Sequence, residues 1–360
     1  MQELKRPLYY GQAACDTMMR KFEAAALPPV GRFHYHQGVF LSGMHQIYEL
    51  CGKEEYFQYI KDWIDSNIDE NGEIHNCHSN KLDDIMPGNL LFPLLERYDD
   101  ETYEKLLHKL VPIVLNFFKN EVGGFWHMEI CPDQMWLDGL YMGGPICAKY
   151  SKKYGKPEYL ESVIEQIRIM HKYTVDEETG LWYHAWDCSK KADWADPVTG
   201  KSPEFWGRSI GWVTVAGMID LDYIPEDHKD RAEIEKIVVD LIKAVCKYQS
   251  EDGRWYQVVD KGHLPENWLE NSCSCLYTAS ICKAVAKGLL DESYLEIARK
   301  GFEGVINSLT WNGDDIEIGN VCIGTCVGDY AHYCARPTST NDLHGVGAFL
   351  IMCAEAEKVL

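Results

Sequence analysis

Long apolar runs are missing from this chain of 360 residues, and none approaches the roughly 20 residues that a helix needs to span a bilayer. The first residues, Met1–Pro7, lack the apolar centre of a signal peptide, which predicts a cytoplasmic protein. Basic residues are scarce, since 35 Lys and Arg stand against 56 Asp and Glu and leave a net charge of −21. Such a chain repels nucleic acids and anionic membranes, so we expect neither as a partner.

Motifs that hold metals or nucleotides are also missing. The 14 cysteines fall mostly within apolar helical patterns, and a chain of this length does not need disulfides, so we interpret them as reduced core residues. Cys322, Cys326 and Cys334 are close enough in sequence to suggest zinc, yet no paired C-x-x-C or H-x-x-x-H spacing lies beside them. Without a glycine-rich phosphate loop either, the sequence predicts no metal, nucleotide or flavin cofactor.

Helical periodicity is abundant instead. Apolar residues recur three and four positions apart in twelve segments, and short joins separate several neighbouring segments, as in antiparallel helix pairs. The segments lie near residues 9–25, 38–51, 54–67, 84–97, 101–119, 135–150, 156–173, 205–222, 229–249, 271–288, 291–309 and 342–358.

Longer stretches rich in glycine and aromatic residues alternate with the short joins. Several begin with a repeated turn pattern, as in Asp252-Gly253-Arg254-Trp255, and its recurrence about every 50–70 residues indicates six related hairpins. Six hairpins predict an all-α protein, an (α/α)6 barrel forming a single catalytic domain over residues 1–360. The long loops then gather at one end and line one cleft. An open α-solenoid is the competing architecture.

One carboxylate lies among side chains that are unusual neighbours for a charged group. Asp138 lies among aromatic and sulfur side chains in the segment Pro132–Pro145, at the start of a predicted helix. Loss of solvation raises the pKa of such a carboxyl, which suits a catalytic acid. The alternative is an aspartate that caps the helix.

The other loop ends and helix starts carry histidines, carboxylates and indoles. Arg208 and Trp212 are four residues apart, on one helical face, and Trp206 directly precedes this turn. Sugar C–H faces stack on tryptophan, and a guanidinium binds a carboxylate bidentately, so this set favours an acidic-sugar site. Each member also has a structural interpretation, as a core tryptophan, a salt-bridged arginine or a structural histidine.

The chain resembles the unsaturated rhamnogalacturonyl hydrolases of glycoside hydrolase family 105 along essentially its whole length. The resemblance implies an (α/α)6 barrel and, as substrate, a rhamnogalacturonan I disaccharide with a 4,5-unsaturated galacturonyl residue. Its motifs are Arg32–Phe40, Gln134–Pro145, Tyr183–Asp187, Ser202–Trp212, Asn267–Glu270 and Ser339–Gly345.

The resemblance also implies residue roles. The proton donor of the family falls on Asp138 and its second active-site aspartate on Asp83. We expect burial and the charge of Asp83 to keep Asp138 neutral. One departure is Met128, where the relatives carry a lysine. The implied substrate-binding positions are His36, His127, His184, Trp206, Arg208, Trp212 and His344.

The implied reaction is hydration of a vinyl ether, with Asp138 protonating C4 and water adding at C5, so that rhamnose and a keto-deoxyuronate are released. The expected partner is a small unsaturated oligosaccharide, and we expect a monomer. Three rivals remain open: an unsaturated glucuronyl hydrolase acting on glycosaminoglycan fragments, a sugar 2-epimerase using His184 and His344, and a sugar-binding protein without turnover.

Overall fold

A computed structural model describes residues 4–360. The segment Met1–Pro7 was predicted to lack the apolar centre of a signal peptide, and its first three residues, Met1–Glu3, lie outside the described residues. The described chain forms thirteen α-helices and eight short strands. The helices are α1 (Pro7–Lys21), α2 (Tyr35–Cys51), α3 (Glu54–Ser66), α4 (Leu91–Tyr98), α5 (Glu101–Leu115), α6 (Asp138–Tyr154), α7 (Pro157–Thr174), α8 (Gly207–Asp220), α9 (Arg231–Cys246), α10 (Asn271–Ala286), α11 (Tyr294–Asn307), α12 (Tyr330–Cys334) and α13 (Leu343–Ala356).

The helices form two concentric rings, which confirms the predicted (α/α)6 barrel. Helices α2, α4 with its preceding turn, α6, α8, α10 and α13 pack in sequence, and α13 closes the ring against α2. Helices α1, α3, α5, α7, α9 and α11 pack outside them. Inner helices contact neighbours on every side, so α13 buries all of its residues and α8 all but Ile219. Outer helices bury one face only, as α3 does with Phe57, Ile60 and Ile64.

Each of the twelve predicted helical segments contains a helix, but one of these helices begins seven residues later than predicted. The segment predicted from residue 84 starts as 3-10 turns at Leu82–Asp84 and Met86–Leu90, and α4 begins at Leu91. Pro87 and Gly88 explain the delay, because proline lacks a backbone donor and glycine disfavours helix interiors. The late start leaves Asp83 in a turn that faces the end of the inner ring.

The long connections carry small antiparallel ribbons instead of irregular loops. The strands are β1 (Gln134–Trp136), β2 (Ala185–Asp187), β3 (Trp255–Tyr256), β4 (Leu269–Glu270), β5 (Thr310–Asn312), β6 (Asp315–Glu317), β7 (Val321–Cys322) and β8 (Thr338–Ser339). They pair as β1 with β2, β3 with β4, β5 with β6 and β7 with β8. The β1–β2 pair joins two different connections, so residues from separate hairpins meet above the barrel.

The repeated glycine turn is a real structural unit. Gly72, Gly123, Gly180 and Gly253 all have positive φ, between 73° and 96°, which side chains with a Cβ rarely adopt. At Gly253 a Cβ would also lie 2.1 Å from the carbonyl oxygen of Lys300. Among the described residues, no helix combines the length and apolar character that a membrane crossing requires.

Candidate active site

The N-terminal ends of the inner helices meet at one end of the barrel. The rings of His36 on α2 and His344 on α13 are 4.8 Å apart. Arg208 on α8 lies with its Nη1 3.7 Å from Oε1 of Glu270, the N-cap of α10. Helix N-termini carry partial positive charge, so their convergence favours an anionic ligand.

Asp138 is the first residue of α6, and the β1–β2 ribbon brings His184 against it. Trp136 pairs with Ala185, and the amide of Leu137 donates to the carbonyl oxygen of His184 at 3.0 Å. Nε2 of His184 therefore lies 3.2 Å from Oδ2 of Asp138. The His184 side chain is fully buried and that of Asp138 is 14% exposed. Two residues that the sequence assigned to the site are thus in direct contact.

The pKa of Asp138 is lowered, so the expectation that it stays neutral in the free protein is wrong. Burial is the largest single effect and raises the pKa, but the hydrogen bond from His184, together with the neighbouring His127 and Arg208, outweighs it. The expectation counted burial among the neighbours of Asp138 along the chain and the charge of Asp83. It could not include His184, which is 46 positions away.

The carboxyl with the raised pKa is Asp83 and not Asp138. Burial raises the pKa of Asp83 to about 7, and the charges of Asp138 and Asp84 contribute. Its side chain is 15% exposed, and its Oδ2 lies 3.8 Å from Nε2 of His34. The two carboxyls therefore have opposite pKa shifts, and the charge of Asp138 is one cause of the raised pKa of Asp83.

Arg208 is bound by the protein itself, which differs from the predicted bidentate contact with a substrate carboxylate. Its Nη1 donates to the carbonyl oxygen of Cys322 at 2.6 Å, and its Nη2 donates to that of Ile323 at 3.0 Å. The side chains of Arg208 and Glu270 are 1% and 0% exposed. The guanidinium therefore acts on the site through its charge, which helps to lower the pKa of Asp138 after the larger effects of burial and His184.

Trp206 and Trp212 are core residues rather than open stacking platforms. They are 2% and 1% exposed. The ring of Trp206 stacks on Tyr333 at 5.8 Å, and its Nε1 donates to Oε1 of Gln257 at 3.1 Å. Trp212 stacks on Tyr141 at 4.7 Å. In the free protein, neither indole face is open for the predicted stacking on a sugar, because both rings pack against tyrosines in the protein interior.

His127 lies flat on Trp136, with ring centroids 4.0 Å apart. Burial lowers its pKa to about 4 against the opposing charge of Asp138, so the imidazole is neutral at pH 7. Its Nδ1 is buried without a hydrogen-bond partner, which leaves one polar atom available to a ligand. The next residue, Met128, forms a β-bridge with Lys81, whose ammonium lies 3.4 Å from Oδ2 of Asp84.

His36 and His344 flank Asp342. Oδ1 of Asp342 lies 2.8 Å from Nδ1 of His344 and 3.6 Å from Nδ1 of His36, while Nε2 of His344 donates to the carbonyl oxygen of Cys322 at 3.0 Å. Burial raises the pKa of Asp342, but the hydrogen bond of His344 and the neighbouring His36 outweigh this effect, so the pKa of Asp342 lies below its ordinary range. Over residues 4–360, two groups of three side chains have metal-ligand spacing: this one and the more exposed group of Glu161, His228 and Asp230.

Sequence reasoning missed two residues of the site. The hydroxyl of Tyr333 lies 2.6 Å from Nδ1 of His184, but α12 has only five residues and shows no readable periodicity. Glu270 accepts from the amide of Cys273 at 2.6 Å and pairs with Arg208. Its place directly before a predicted helix was a capping signal that could have identified it.

The barrel of six helical hairpins is the fold of the helical-barrel glycoside hydrolases. The profile of Glycosyl Hydrolase Family 88 matches residues 10–360, and the chain belongs to this family. Its members hydrolyse unsaturated uronyl glycosides, which is the kind of reaction that the sequence predicted.

Individual relatives extend this assignment to family 105. A solved family 105 glycoside hydrolase from C. acetobutylicum is 32% identical, covers 97% of this chain and 99% of its own, and superposes with a TM-score of 0.92. The unsaturated rhamnogalacturonyl hydrolase YesR of Bacillus subtilis is 24% identical over 81% of this chain and 79% of its own length. An unsaturated glucuronyl hydrolase from Bacillus sp. GL1, 14% identical, has the same fold, with a TM-score of 0.73 over 97% of this chain and 95% of its own.

Proposed function

We propose that this protein is an unsaturated rhamnogalacturonyl hydrolase of pectin degradation. It hydrates the C4=C5 double bond of a 4,5-unsaturated galacturonyl residue in a rhamnogalacturonan I disaccharide and releases rhamnose and a keto-deoxyuronate. The similarity to YesR supports this substrate. The observation that carries the proposal is the enclosed pair of Asp83 and Asp138, whose opposite pKa shifts provide one proton and one base at neutral pH.

Ordinary glycosidases use two carboxylates that flank the glycosidic bond. The proposed reaction does not need them, because it begins at the alkene of the substrate. The double bond is conjugated to the ring oxygen, so protonation at C4 leaves a cation at C5 that spreads onto this oxygen. Asp138 donates that proton, and its carboxylate then accepts a proton from the water that adds at C5. The C5 hemiketal opens as its bond to the ring oxygen breaks, and the hemiacetal at C1 expels the partner sugar.

The ionised state of Asp138 in the free protein adds one requirement. Asp138 has to gain a proton before it can act as an acid. A bound uronate brings a second negative charge and excludes water, and both effects raise the pKa of a neighbouring carboxyl. We propose that substrate binding thus moves the proton of the pair from Asp83 to Asp138, which couples protonation of the acid to occupancy of the site.

The remaining predicted residues have supporting roles in this proposal. His36 and His127 provide hydrogen bonds to substrate hydroxyls, and the unpartnered Nδ1 of His127 is the most direct candidate. His184 and His344 support the site from within, because both of their ring nitrogens already contact protein atoms. Arg208 contributes charge from beneath the site, as its guanidinium already binds two carbonyl groups. Trp206 and Trp212 support the site from beneath as buried core residues.

Turnover of a panel of unsaturated disaccharides tests the substrate. Purified protein is incubated with lyase-generated unsaturated galacturonyl-rhamnose, with unsaturated glucuronyl disaccharides from glycosaminoglycans and with a saturated galacturonyl-rhamnose control. Loss of the ultraviolet absorbance of the alkene is followed with time. The proposal expects fastest loss with the rhamnose disaccharide and no cleavage of the saturated control. Faster loss with glycosaminoglycan fragments favours the glucuronyl rival, and unchanged absorbance throughout favours a sugar-binding protein.

Three broader expectations also stay predictions. We propose a single catalytic domain over the whole chain, consistent with a family match over residues 10–360. The monomeric state is checked by light scattering after size-exclusion chromatography. The cytoplasmic location is checked by fractionation of the source cells.

A further inference from the structure

We propose that Tyr333 is a positioning residue that fixes the tautomer of His184, so that the imidazole always presents its Nε2–H to Asp138. The inference rests on the proposed function for the role of Asp138. The hydroxyl of Tyr333 contacts His184 and the amide of Gly328 and makes no hydrogen bond to Asp83 or Asp138, so it acts on Asp138 through His184.

The hydrogen-bond directions around the Tyr333 hydroxyl support this proposal. The amide of Gly328 lies 3.2 Å from the hydroxyl oxygen and can only donate to it. The hydroxyl proton is therefore left for the second contact, Nδ1 of His184 at 2.6 Å. A ring nitrogen that accepts is unprotonated, so a neutral His184 carries its proton on Nε2. This nitrogen lies 3.2 Å from Oδ2 of Asp138 and donates to it.

Tyr333 is held firmly enough to impose this direction. Its side chain is fully buried, its ring stacks on Trp206, and Nε2 of Gln257 donates to its carbonyl oxygen at 3.2 Å. The short helix α12 is fixed at its start by Asp329, which accepts from the amide of His332 at 2.8 Å. Burial raises the pKa of Tyr333 well above its ordinary value, so the hydroxyl keeps its proton throughout the working pH range.

Several neighbouring groups shift the pKa of His184. Asp138 on α6 raises the pKa of His184, and Arg208 on α8 and His332 on α12 lower it, but burial is the largest effect and keeps the ring neutral. Around Asp138, the charges of His127 and Arg208 add to the effect of His184. Asp138 favours a proton on Nε2 only while it is ionised, because a protonated carboxyl can donate to that nitrogen instead. Tyr333 is the group that contacts Nδ1, and it keeps this nitrogen unprotonated whatever the state of Asp138.

Removal of the Tyr333 hydroxyl is expected to raise the pKa of Asp138. In Tyr333→Phe, His184 is free to place its proton on Nδ1 and to turn an unprotonated Nε2 toward Asp138. The carboxylate then loses its donor, and a protonated Asp138 gains an acceptor, and both changes favour the protonated carboxyl. The alkaline limb of the kcat/KM profile is therefore expected to move upward by about 0.5 to 1 pH unit. The plateau of kcat is expected to fall roughly tenfold, with KM within about twofold, because the imidazole is no longer held in one orientation.

Tyr330→Phe is the matched control, since Tyr330 lies on the same helix and its buried hydroxyl has no hydrogen-bond partner. The control should keep the profile of the wild type. A Tyr333→Phe protein that retains its melting temperature and shows an unshifted alkaline limb overturns the proposal. A loss of rate without a shift of the limb also overturns it, since that result indicates a structural role only.

A measurement on the unmodified protein keeps the proposal testable even if Tyr333→Phe does not fold. ¹⁵N NMR of histidine-labelled protein distinguishes protonated from unprotonated ring nitrogens, and a His184→Gln sample assigns the signal. The proposal expects an unprotonated Nδ1 and a protonated Nε2, and the reverse pattern contradicts it. The spectrum does not depend on turnover, so the proposed function can fail in the disaccharide assay while the tautomer is decided separately.

Discussion

Nε2 of His184 lies 3.2 Å from Oδ2 of Asp138, although 46 positions separate the two residues in the chain. The contact depends on pairing between β1 and β2, strands that belong to connections of different hairpins. It reverses the electrostatic state that the local sequence around Asp138 suggests, because the hydrogen bond from His184, together with His127 and Arg208, stabilises the carboxylate more than burial destabilises it. The acid of the proposed reaction thus has a lowered pKa in the free protein.

Asp138→Asn tests the acid directly. The amide has nearly the same shape but cannot give a proton to C4, so we expect turnover of the unsaturated disaccharide to fall by about 10²–10⁴-fold. Binding of the disaccharide, followed by calorimetry, should remain measurable. The matched control is Asp187→Asn, an aspartate of the same ribbon that accepts from Ser189 and the amide of Ala192. Retained turnover in Asp138→Asn would rule out its assignment as the acid.

Asp83→Asn should shift the pH dependence of kcat/KM toward acid. In the wild type the proton of the pair is lost as pH rises through about 7, so the alkaline limb is expected near that pH. Without Asp83, only the lowered pKa of Asp138 remains, and the protonated fraction falls about tenfold for each pH unit above it. Profiles of wild type and variant measured side by side check this, and a coincident alkaline limb contradicts the pair.

The same substitution should stabilise the fold at alkaline pH. The folded-state pKa of Asp83 is raised to about 7, so the folded protein binds this proton more tightly than the unfolded chain. The resulting stability is present below about pH 4 and is lost as pH rises through 7. Asp83→Asn removes the buried charge, so its melting temperature should exceed that of the wild type by about 2 to 4 °C at pH 8. The gain should be smaller at pH 5, and an equal gain at both pH values argues against a buried ionised Asp83.

Arg208→Ala is expected to destabilise the barrel. It leaves the fully buried Glu270 without its cation, and breaking a buried ion pair from one side costs about 3–5 kcal/mol. Arg168→Ala is the control, because Arg168 pairs with Glu233 at the surface and such pairs contribute about 1 kcal/mol or less. Chemical denaturation of both variants gives the comparison. Equal stabilities would show that the Arg208–Glu270 pair does not hold α8 and α10 together.

Removal of metal ions should leave the activity unchanged. The cluster of His36, Asp342 and His344 has metal-ligand spacing, but the expected reaction requires only a proton and a water. Dialysis against EDTA, followed by the disaccharide assay and elemental analysis, checks this prediction. Loss of turnover that Zn²⁺ restores would instead assign a metal to this cluster.

Local periodicity was enough to predict the architecture. An inner helix such as α8 and an outer helix such as α3 both show apolar residues at helical spacing, and the alternation of short and long connections places them in two rings. The start of α4 was predicted too early, because the periodicity of its apolar residues continues through Pro87 and Gly88. The five-residue α12 was not predicted at all, although it carries Tyr333.

The amino-acid sequence by itself determined the hairpins, the barrel and the motifs that identify the family, because these depend on neighbouring residues along the chain. The tertiary structure alone decided the protonation of Asp138, the partners of Arg208 and the burial of Trp206. These properties depend on groups brought together from different hairpins. Desolvation and charge act through space over a few ångströms, and sequence spacing does not record that distance.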